Sequence, residues 1–308
     1  MKTSRQNIEI EKGHAFVTIG MFDGVHRGHM CLVNNVVKLA GDTGGISVAV
    51  TFEPHPRMLL SGGDINLRFL TSLHEKEYLL ARAGLDHLLV LDFNDQLRMM
   101  SACDFVERVL VGMLGMKHLI VGYDHHFGYG GNVNSTTLDD CAGRHGFDVS
   151  RVDALVDGDV SVSSTLIRQL LEEGELGRAN SLLGYEYILK GRVVEGKKIG
   201  RKMGYPTANI EPDWQFKLIP ADGVYAVEVT TGENLYKAML YIGTRPTLET
   251  GGNRVIEANL FGFDGDLYGK DLTIFFKHRI RGDMKFSSSE LLSKQIAKDK
   301  DETLQLLG

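Results

Sequence analysis

His26 and His29 stand three residues apart in GMFDGVHRGHM, residues 20–30, just after the apolar run AFVTIGMF. If a helix begins there, both imidazoles share its first turn and can donate hydrogen bonds to one anion. The surroundings favour phosphate. A helix N-terminus offers free N–H groups and the positive end of a dipole, and Gly24 and Gly28 allow close backbone approach. Donors placed on phosphate oxygens would stabilise negative charge as it builds up in a transition state. The H-x-G-H pattern is short and recurs freely, so taken alone a pair of capping or solvated histidines is an equal alternative.

Such a turn needs a strand to deliver it, and the first 150 residues contain several. AFVTIG, ISVAVTF, HLLVLDF and HLIVGY are short apolar runs between polar or glycine punctuation, the pattern of buried strands. Between them, CLVNNVVKLAGDTGG, SLHEKEYLLARAG and SACDFVERVLVGMLG have helical spacing, with Gly41, Gly84 and Gly115 near stop positions. Ser101, with Asp104 three residues on, resembles a helix-entry cap. Alternating strands and helices imply an α/β unit, a parallel sheet covered on both faces. Ligands of such sheets bind at the carboxyl ends of the strands. In VSSTLIRQLLEEGELGRANSLLG, Ser163 or Ser164 can cap a helix that carries Ile167, Leu170 and Leu171 and stops at Gly174. A second short helix ends at Gly184.

The texture then changes. YILKGRVVEG, GVYAVEVTTGENLYKAMLYIG, VIEANLFGF and DLTIFFKHRI are strand-like runs separated by turn residues, with TTGEN as a hairpin tip. Short strands at this density imply an antiparallel barrel or sandwich. A final helix opens with Ser287, and Glu290 completes a capping box. The boundary falls near 185, giving domains of residues 1–184 and 185–308.

With 308 residues, two domains are expected. A hydrophobic fraction of 43% with 24% charged residues is ordinary for a soluble chain. A net charge of −6 provides no global basic field for nucleic acid. Cys31, Cys103 and Cys141 are odd in number and form no C-x-x-C, so neither a disulfide framework nor a zinc site is expected, and a reducing cytoplasm fits. The start, MKTSRQNIEIEKGHAF, has no apolar h-region, and the apolar runs are too short to span a membrane.

Three local patterns are set aside. Gly191 to Lys198 reads G-x-x-x-x-G-K-K but lacks the Ser/Thr of a phosphate-binding loop, and RVV reads as strand. Arg281-Gly282-Asp283 spells an adhesion tripeptide with nothing else pointing outside the cell. Asp124-His125-His126 offers no single metal both imidazoles, because adjacent strand residues face opposite ways.

In order along the chain, GMFDGVHRGH, TFEPHPR at 51–57, GLDHLLVLDF, FVERVLVGMLGMKHLIVGYDHHFG and VSSTLIR at 162–168 resemble the nucleotidyltransferase module of the bacterial bifunctional riboflavin kinase/FMN adenylyltransferases. The module implied is Rossmann-like. The resemblance implies that Gly20, Phe22, Asp23, Gly28, Ser164, Thr165 and Arg168 bind ATP and that His26 and His29 act on its triphosphate. It places the flavin nucleotide at Pro54, His55, Pro56, Asp124 and Phe127. A capped helix start with a guanidinium suits a triphosphate, although VSSTLIR alone reads as an ordinary N-cap.

GRVVEGKKIGRKMGYPTANI, GVYAVEV, IGTRPTL, VIEANLFGFDGDLYGK and RIRGDMKF resemble the same family's kinase module, which implies a β-barrel with a terminal helix. Gly196, Gly200, Lys202, Gly204 and Pro206 would then hold ATP. Thr207 and Asn209 would place Mg²⁺, Glu257 would be the general base, and Arg281 and Phe286 would meet the flavin. Without the family, Glu257 reads as an outward strand residue. The resemblance covers about residues 14–300 and implies that riboflavin becomes FMN and FMN becomes FAD, with ATP as co-substrate. No nucleic-acid or membrane partner is implied, and the oligomeric state stays open.

There are departures. The family runs close to R-F-G-x-x-R where this chain has His126 and Gly131. Its Asn before IGTRPT is Tyr241, and its Glu after an L-R pair is Asp283. Two alternatives follow: a kinase with a weak or inactive adenylyl domain, and a non-catalytic flavin-binding regulator. Intact H-x-G-H, SSTLIR, PTAN and Glu257 argue against the second.

Overall fold

In the computed structural model, residues 1–6, 8, 10–60, 67–122, 135–195, 206–244 and 254–308 are described, 135–137 by backbone alone. They form two compact units: Met1–Leu67 with Leu73–Ser163, and Arg68–Ser72 with Ser164–Gly308.

The first unit is built on the expected apolar runs. Strands β1 (Lys2–Arg5), β2 (Ala15–Ile19), β3 (Ile46–Glu53), β4 (His87–Asp92), β5 (Met116–Gly122) and β6 (Asp148–Val152) form a sheet of order β1-β4-β3-β2-β5-β6. Every pairing in it is parallel. Neither edge strand is marked by an apolar run, since β1 is KTSR and β6 is DVSRV. Helix α1 (Arg27–Thr43) covers one face, where Val36 and Ala40 pack on Phe16 and Ile120. The other face buries Phe105, Val106, Val109, Leu110 and Leu138 against Val17, Val48 and Leu119. Helices on both faces explain why the central strands read as unbroken apolar runs. The strand order reverses at β2, which lies between β3 and β5. That is the switch point of an open α/β sheet, where a crevice forms at the carboxyl ends.

Three local readings are corrected. Helix α1 runs through Gly41 and stops at Gly44 (φ 69°), whose N–H bonds back to the carbonyls of Ala40 and Gly41. The left-handed cap therefore falls three residues later, where a positive φ is needed. Along SACDFVERVLVGMLG, Ser101 does cap, accepting from Asp104 N at 3.1 Å. The helix is α only over Ala102–Phe105 and continues as a π-helix over Val106–Met113. Cys103 is also disulfide-bonded to Cys141, at a Cα separation of 6.3 Å, while Cys31 is free. Packing between distant helices makes that pair, and no sequence spacing announces it.

Helices α2 (Pro56–Leu60), α3 (Leu73–Arg82), α4 (Asp95–Arg98), α5 (Ala102–Phe105) and α6 (Ser135–His145) alternate along the chain with strands β3 to β6. They are followed by a two-residue pairing of β7 (Val156–Asp157) with β8 (Val160–Ser161), and then by α7 (Ser164–Glu173) and α8 (Leu176–Leu183). Ile167, Leu170 and Leu171 are buried on α7 as expected, and Gly184 caps α8 at φ 83°. Asn180 joins α8 to the barrel by donating to Phe276 O and accepting from Tyr187 N, both at 2.9 Å.

The second unit closes the barrel that the strand pattern left open as a choice. Strands β9 (Tyr187–Val194), β10 (Ala208–Pro212), β11 (Gly223–Thr231), β12 (Asn234–Thr244), β13 (Arg254–Leu260) and β14 (Asp271–Arg281) run in the order β10-β13-β12-β11-β14-β9, with β9 pairing back to β10. The fully buried Tyr187, Tyr225, Leu189, Leu240, Ile274 and Phe276 fill it. Gly232 and Glu233 make the two-residue hairpin tip, with Gly232 at φ 58°. Helix α9 (Ser289–Leu307) is capped by Ser288, which accepts from Leu291 N at 3.3 Å. The cap thus lies one residue after the expected Ser287, because Ser288 is the last extended residue, at ψ 159°.

Candidate active sites

The first candidate site follows β2. Gly20 to His26 form a tight loop in which Phe22 (φ 50°) and Val25 (φ 37°) take left-handed backbone. For a β-branched residue this is strained, by about 1–3 kcal/mol. Burial holds it, since Phe22 is 0% and Val25 1% exposed. His26 caps α1, its Nδ1 accepting from the backbone N–H of His29 at 3.3 Å. That bond leaves Nε2 of a neutral His26 as the donor nitrogen. The two imidazoles stack with centroids 3.7 Å apart, and Phe22 meets His29 edge-on at 5.4 Å. A Cβ on Gly28 would lie 3.2 Å from the His26 ring, so a small residue is needed there.

Both histidines fall in the first turn of α1, as expected, with His26 as its N-cap. Nδ1 of His29 is buried with no hydrogen-bond partner among the described residues. Burial foremost, then the neighbouring His26 and Lys76, holds the His29 imidazole well below its usual pKa. A neutral ring with its hydrogen on Nε2 leaves only an acceptor unsatisfied at Nδ1, which is less costly than an unsatisfied donor.

Lys76 escaped the sequence reading. It is 5% exposed on α3, and its Nζ donates to Thr51 Oγ1 at 3.3 Å. Burial lowers its pKa, and Asp23 and Glu53 oppose that shift. The available signal was a lysine on the buried side of an amphipathic pattern, since Leu79 and Leu80 follow three and four residues on. Pro54, His55 and Pro56 come directly after β3, the strand beside β2, where Nδ1 of His55 accepts from Arg57 N at 3.1 Å. Asp124 and Phe127 lie outside the described residues, as do His126, Gly131 and the rest of GYGGNVN. Ser164 and Thr165 open α7, and Arg168 follows one turn later on the same side.

The second candidate site lies across the barrel strands. Asn209 on β10 stands directly opposite Glu257 on β13, and Glu257 stands opposite Tyr241 on β12. Cross-strand partners point to the same side, so the three form one row. The neighbouring row, Ala208, Ala258 and Leu240, is buried inside the barrel. Thr207 donates to Glu257 Oε2 at 3.1 Å, and Asn259 Nδ2 holds the carbonyl of Pro206 at 2.6 Å. The PTAN stretch and Glu257 are therefore brought together as expected. A hydroxyl and an amide carbonyl are hard oxygen donors of the kind Mg²⁺ takes alongside substrate phosphates. Among the described residues, no group of three or more His, Cys, Asp or Glu suits a metal ion.

The two departures in this half meet each other. The Tyr241 hydroxyl donates to Asp283 Oδ1 at 3.1 Å. Burial and the Asp283 carboxylate push the phenol up to about 12. Arg281 is committed to α9, with its Nε and Nη2 on the carboxylate of Asp299 at 2.7–3.1 Å, and its guanidinium lies 5.9 Å from the Phe286 ring centroid. Gly196, Gly200, Lys202 and Gly204 lie outside the described residues.

Comparisons with known proteins divide the chain into the same two parts. A family model described as FAD synthetase matches residues 8–166, and one described as riboflavin kinase matches residues 183–307. A bifunctional riboflavin kinase/FMN adenylyltransferase of Listeria monocytogenes is 36% identical over 288 residues, 93% of this chain and 90% of that one. One of Escherichia coli K12 is 36% identical over 293 residues, 95% of this chain and 92% of that one. A solved structure from Streptococcus pneumoniae, named as a macrolide-efflux protein, superposes with a TM-score of 0.86 at 30% identity and covers 98% of both chains. Efflux is said of that protein alone; among the described residues here, no helix is long and apolar enough to cross a membrane. With relatives this similar over nearly its whole length, and both domain models in sequence order, the chain belongs to the family of bifunctional riboflavin kinase/FMN adenylyltransferases.

Proposed function

We infer that the chain phosphorylates riboflavin to FMN with one ATP and joins FMN to the AMP part of a second ATP, making FAD and releasing pyrophosphate. The observation that carries the kinase step is Glu257 set in one row with Asn209 and hydrogen-bonded to Thr207. Glu257 takes the proton of the ribityl 5′-hydroxyl as that oxygen attacks the γ-phosphorus, and ADP leaves. Thr207 and Asn209 would hold Mg²⁺, which when bound neutralises charge on the phosphates. A threonine hydroxyl can give its hydrogen to Glu257 and still offer a lone pair to a cation. Gly196, Gly200, Lys202, Gly204 and Pro206 are assigned to ATP.

In adenylyl transfer the FMN phosphate is itself the nucleophile. One of its oxygens bonds to the α-phosphorus as the bond to the β-phosphate oxygen breaks, so no strong base is required. The step needs two anions held together and donors for the charge that builds up. His26 and His29 are those donors, with Gly20, Phe22, Asp23 and Gly28 shaping the loop around ATP. Ser164, Thr165 and Arg168 are assigned to the triphosphate on their chemistry and the family resemblance. Pro54, His55, Pro56, Asp124 and Phe127 are assigned to the flavin nucleotide, as are Arg281 and Phe286 in the kinase half. For Arg281 the contacts favour an indirect part, holding the segment that carries Phe286. We draw the functional division at 184/185 and, with ATP consumed twice, the location in the cytoplasm.

The test is product analysis by chromatography, with riboflavin, ATP and Mg²⁺ in one reaction and FMN replacing riboflavin in the other. FAD from both is expected. FMN from the first and nothing from the second would leave a kinase whose other site has kept its residues but lost its reaction, the outcome motivated by His126 and Gly131.

A further inference from the structure

Lys76 is a buried cation that no step above uses. Its ammonium donates to Thr51 Oγ1 at 3.3 Å, and Thr51 gives its own hydroxyl hydrogen to the carbonyl of Met21, also at 3.3 Å. Met21 opens the loop that carries Phe22, Asp23, Val25 and His26. The relay therefore runs from the middle of the sheet unit to the root of the strained turn. A buried ammonium is costly, and an apolar side chain of similar length would fill the space more cheaply. We propose that Lys76 is a positioning residue for adenylyl transfer, acting through Thr51 to fix the backbone that presents His26 and His29. This rests on the adenylyl-transfer reading of that site. Around the ammonium, the carboxylates of Asp23 and Glu53 favour its charge. In turn that charge, after burial and His26, helps to keep the His29 imidazole neutral.

The test compares Lys76→Met, which keeps the stem and removes the charge, with Lys76→Arg and with Thr51→Val, which removes the relaying hydroxyl. FAD formation from FMN and ATP should fall about tenfold or more in Lys76→Met, because a small misplacement of donors is enough for that. FMN formation from riboflavin, measured on the same preparation, should be unchanged. The His29 imidazole, followed by NMR, should titrate at higher pH than in the wild type, and Lys76→Arg should recover part of the lost rate. Thr51→Val should also slow FAD formation while leaving the His29 titration where it is. Wild-type FAD rates in Lys76→Met or Thr51→Val would overturn the proposal. So would a loss of both activities together that Lys76→Arg does not relieve, which would make the role purely structural. A wild-type chain that forms no FAD would overturn the adenylyl reading and this proposal with it.

Discussion

Thr207 and Glu257 share a hydrogen: the threonine hydroxyl, one residue before β10, donates to Oε2 of the carboxylate on β13 at 3.1 Å. The bond helps to fix the rotamer of the half-buried Glu257 side chain. It also occupies one carboxylate oxygen with a neutral donor, leaving Glu257 able to accept a substrate proton. The paired register, with Asn209 opposite Glu257, holds the start of β10 against β13 beside this bond.

Glu257→Gln keeps an oxygen for Thr207 to bond but cannot take a proton. The kcat for riboflavin phosphorylation should fall by about 10²–10⁴, the usual worth of a general base. Adenylation of supplied FMN should continue. Initial rates on the two substrates check this, and an unimpaired kinase would place the base elsewhere.

His29→Ala should cut FAD formation by about 10²–10³, the cost of losing one preorganised donor, with FMN formation intact. It is a cleaner probe than His26→Ala, which also removes the cap of α1 and so costs about 1 kcal/mol of stability. Retained FAD synthesis would remove His29 from the mechanism.

Stability should fall on mild acidification. The unfolded His29 imidazole takes its proton near the ordinary value of 6.5, while burial, His26 and Lys76 hold the folded one lower. Between those two values the unfolded chain binds more protons, so its share grows as pH drops below 6.5. Urea melts at pH about 7.5 and about 5.5 should show this loss, and His29→Gln should show less of it. An equally acid-sensitive variant would assign the effect to other groups.

Asp299 is 1% exposed and accepts from both Arg281 and Gln295. Asp299→Ala strands a mostly buried guanidinium and should cost about 3–5 kcal/mol. Arg281→Met combined with Asp299→Leu should cost less than the single change, because no charge is left alone. Denaturant midpoints of the three chains decide between these outcomes.

Both folded units were legible because their apolar runs carry period and punctuation together. The motif residues were legible for a different reason: H-x-G-H and PTAN are local, the first opening α1 and the second leading into β10. Contacts made across distance were not. Lys76 looks like any helical lysine until α3 turns that face inward, and nothing local brings Cys103 to Cys141. Tyr241 and Asp283 are 42 residues apart and join only when β12 lies beside the segment after β14. The misplaced caps, Gly41 for Gly44 and Ser287 for Ser288, are errors within clusters of interchangeable residues, where the backbone angle alone selects the one used.

Asn209, Glu257 and Tyr241 stand in a sheet that has no edge, since β9 returns to β10. They lie on strands that are each paired on both sides, so none of the three can peel away as an edge. Phosphorylation should therefore survive warming with little decline and then disappear within the narrow interval in which the barrel itself melts.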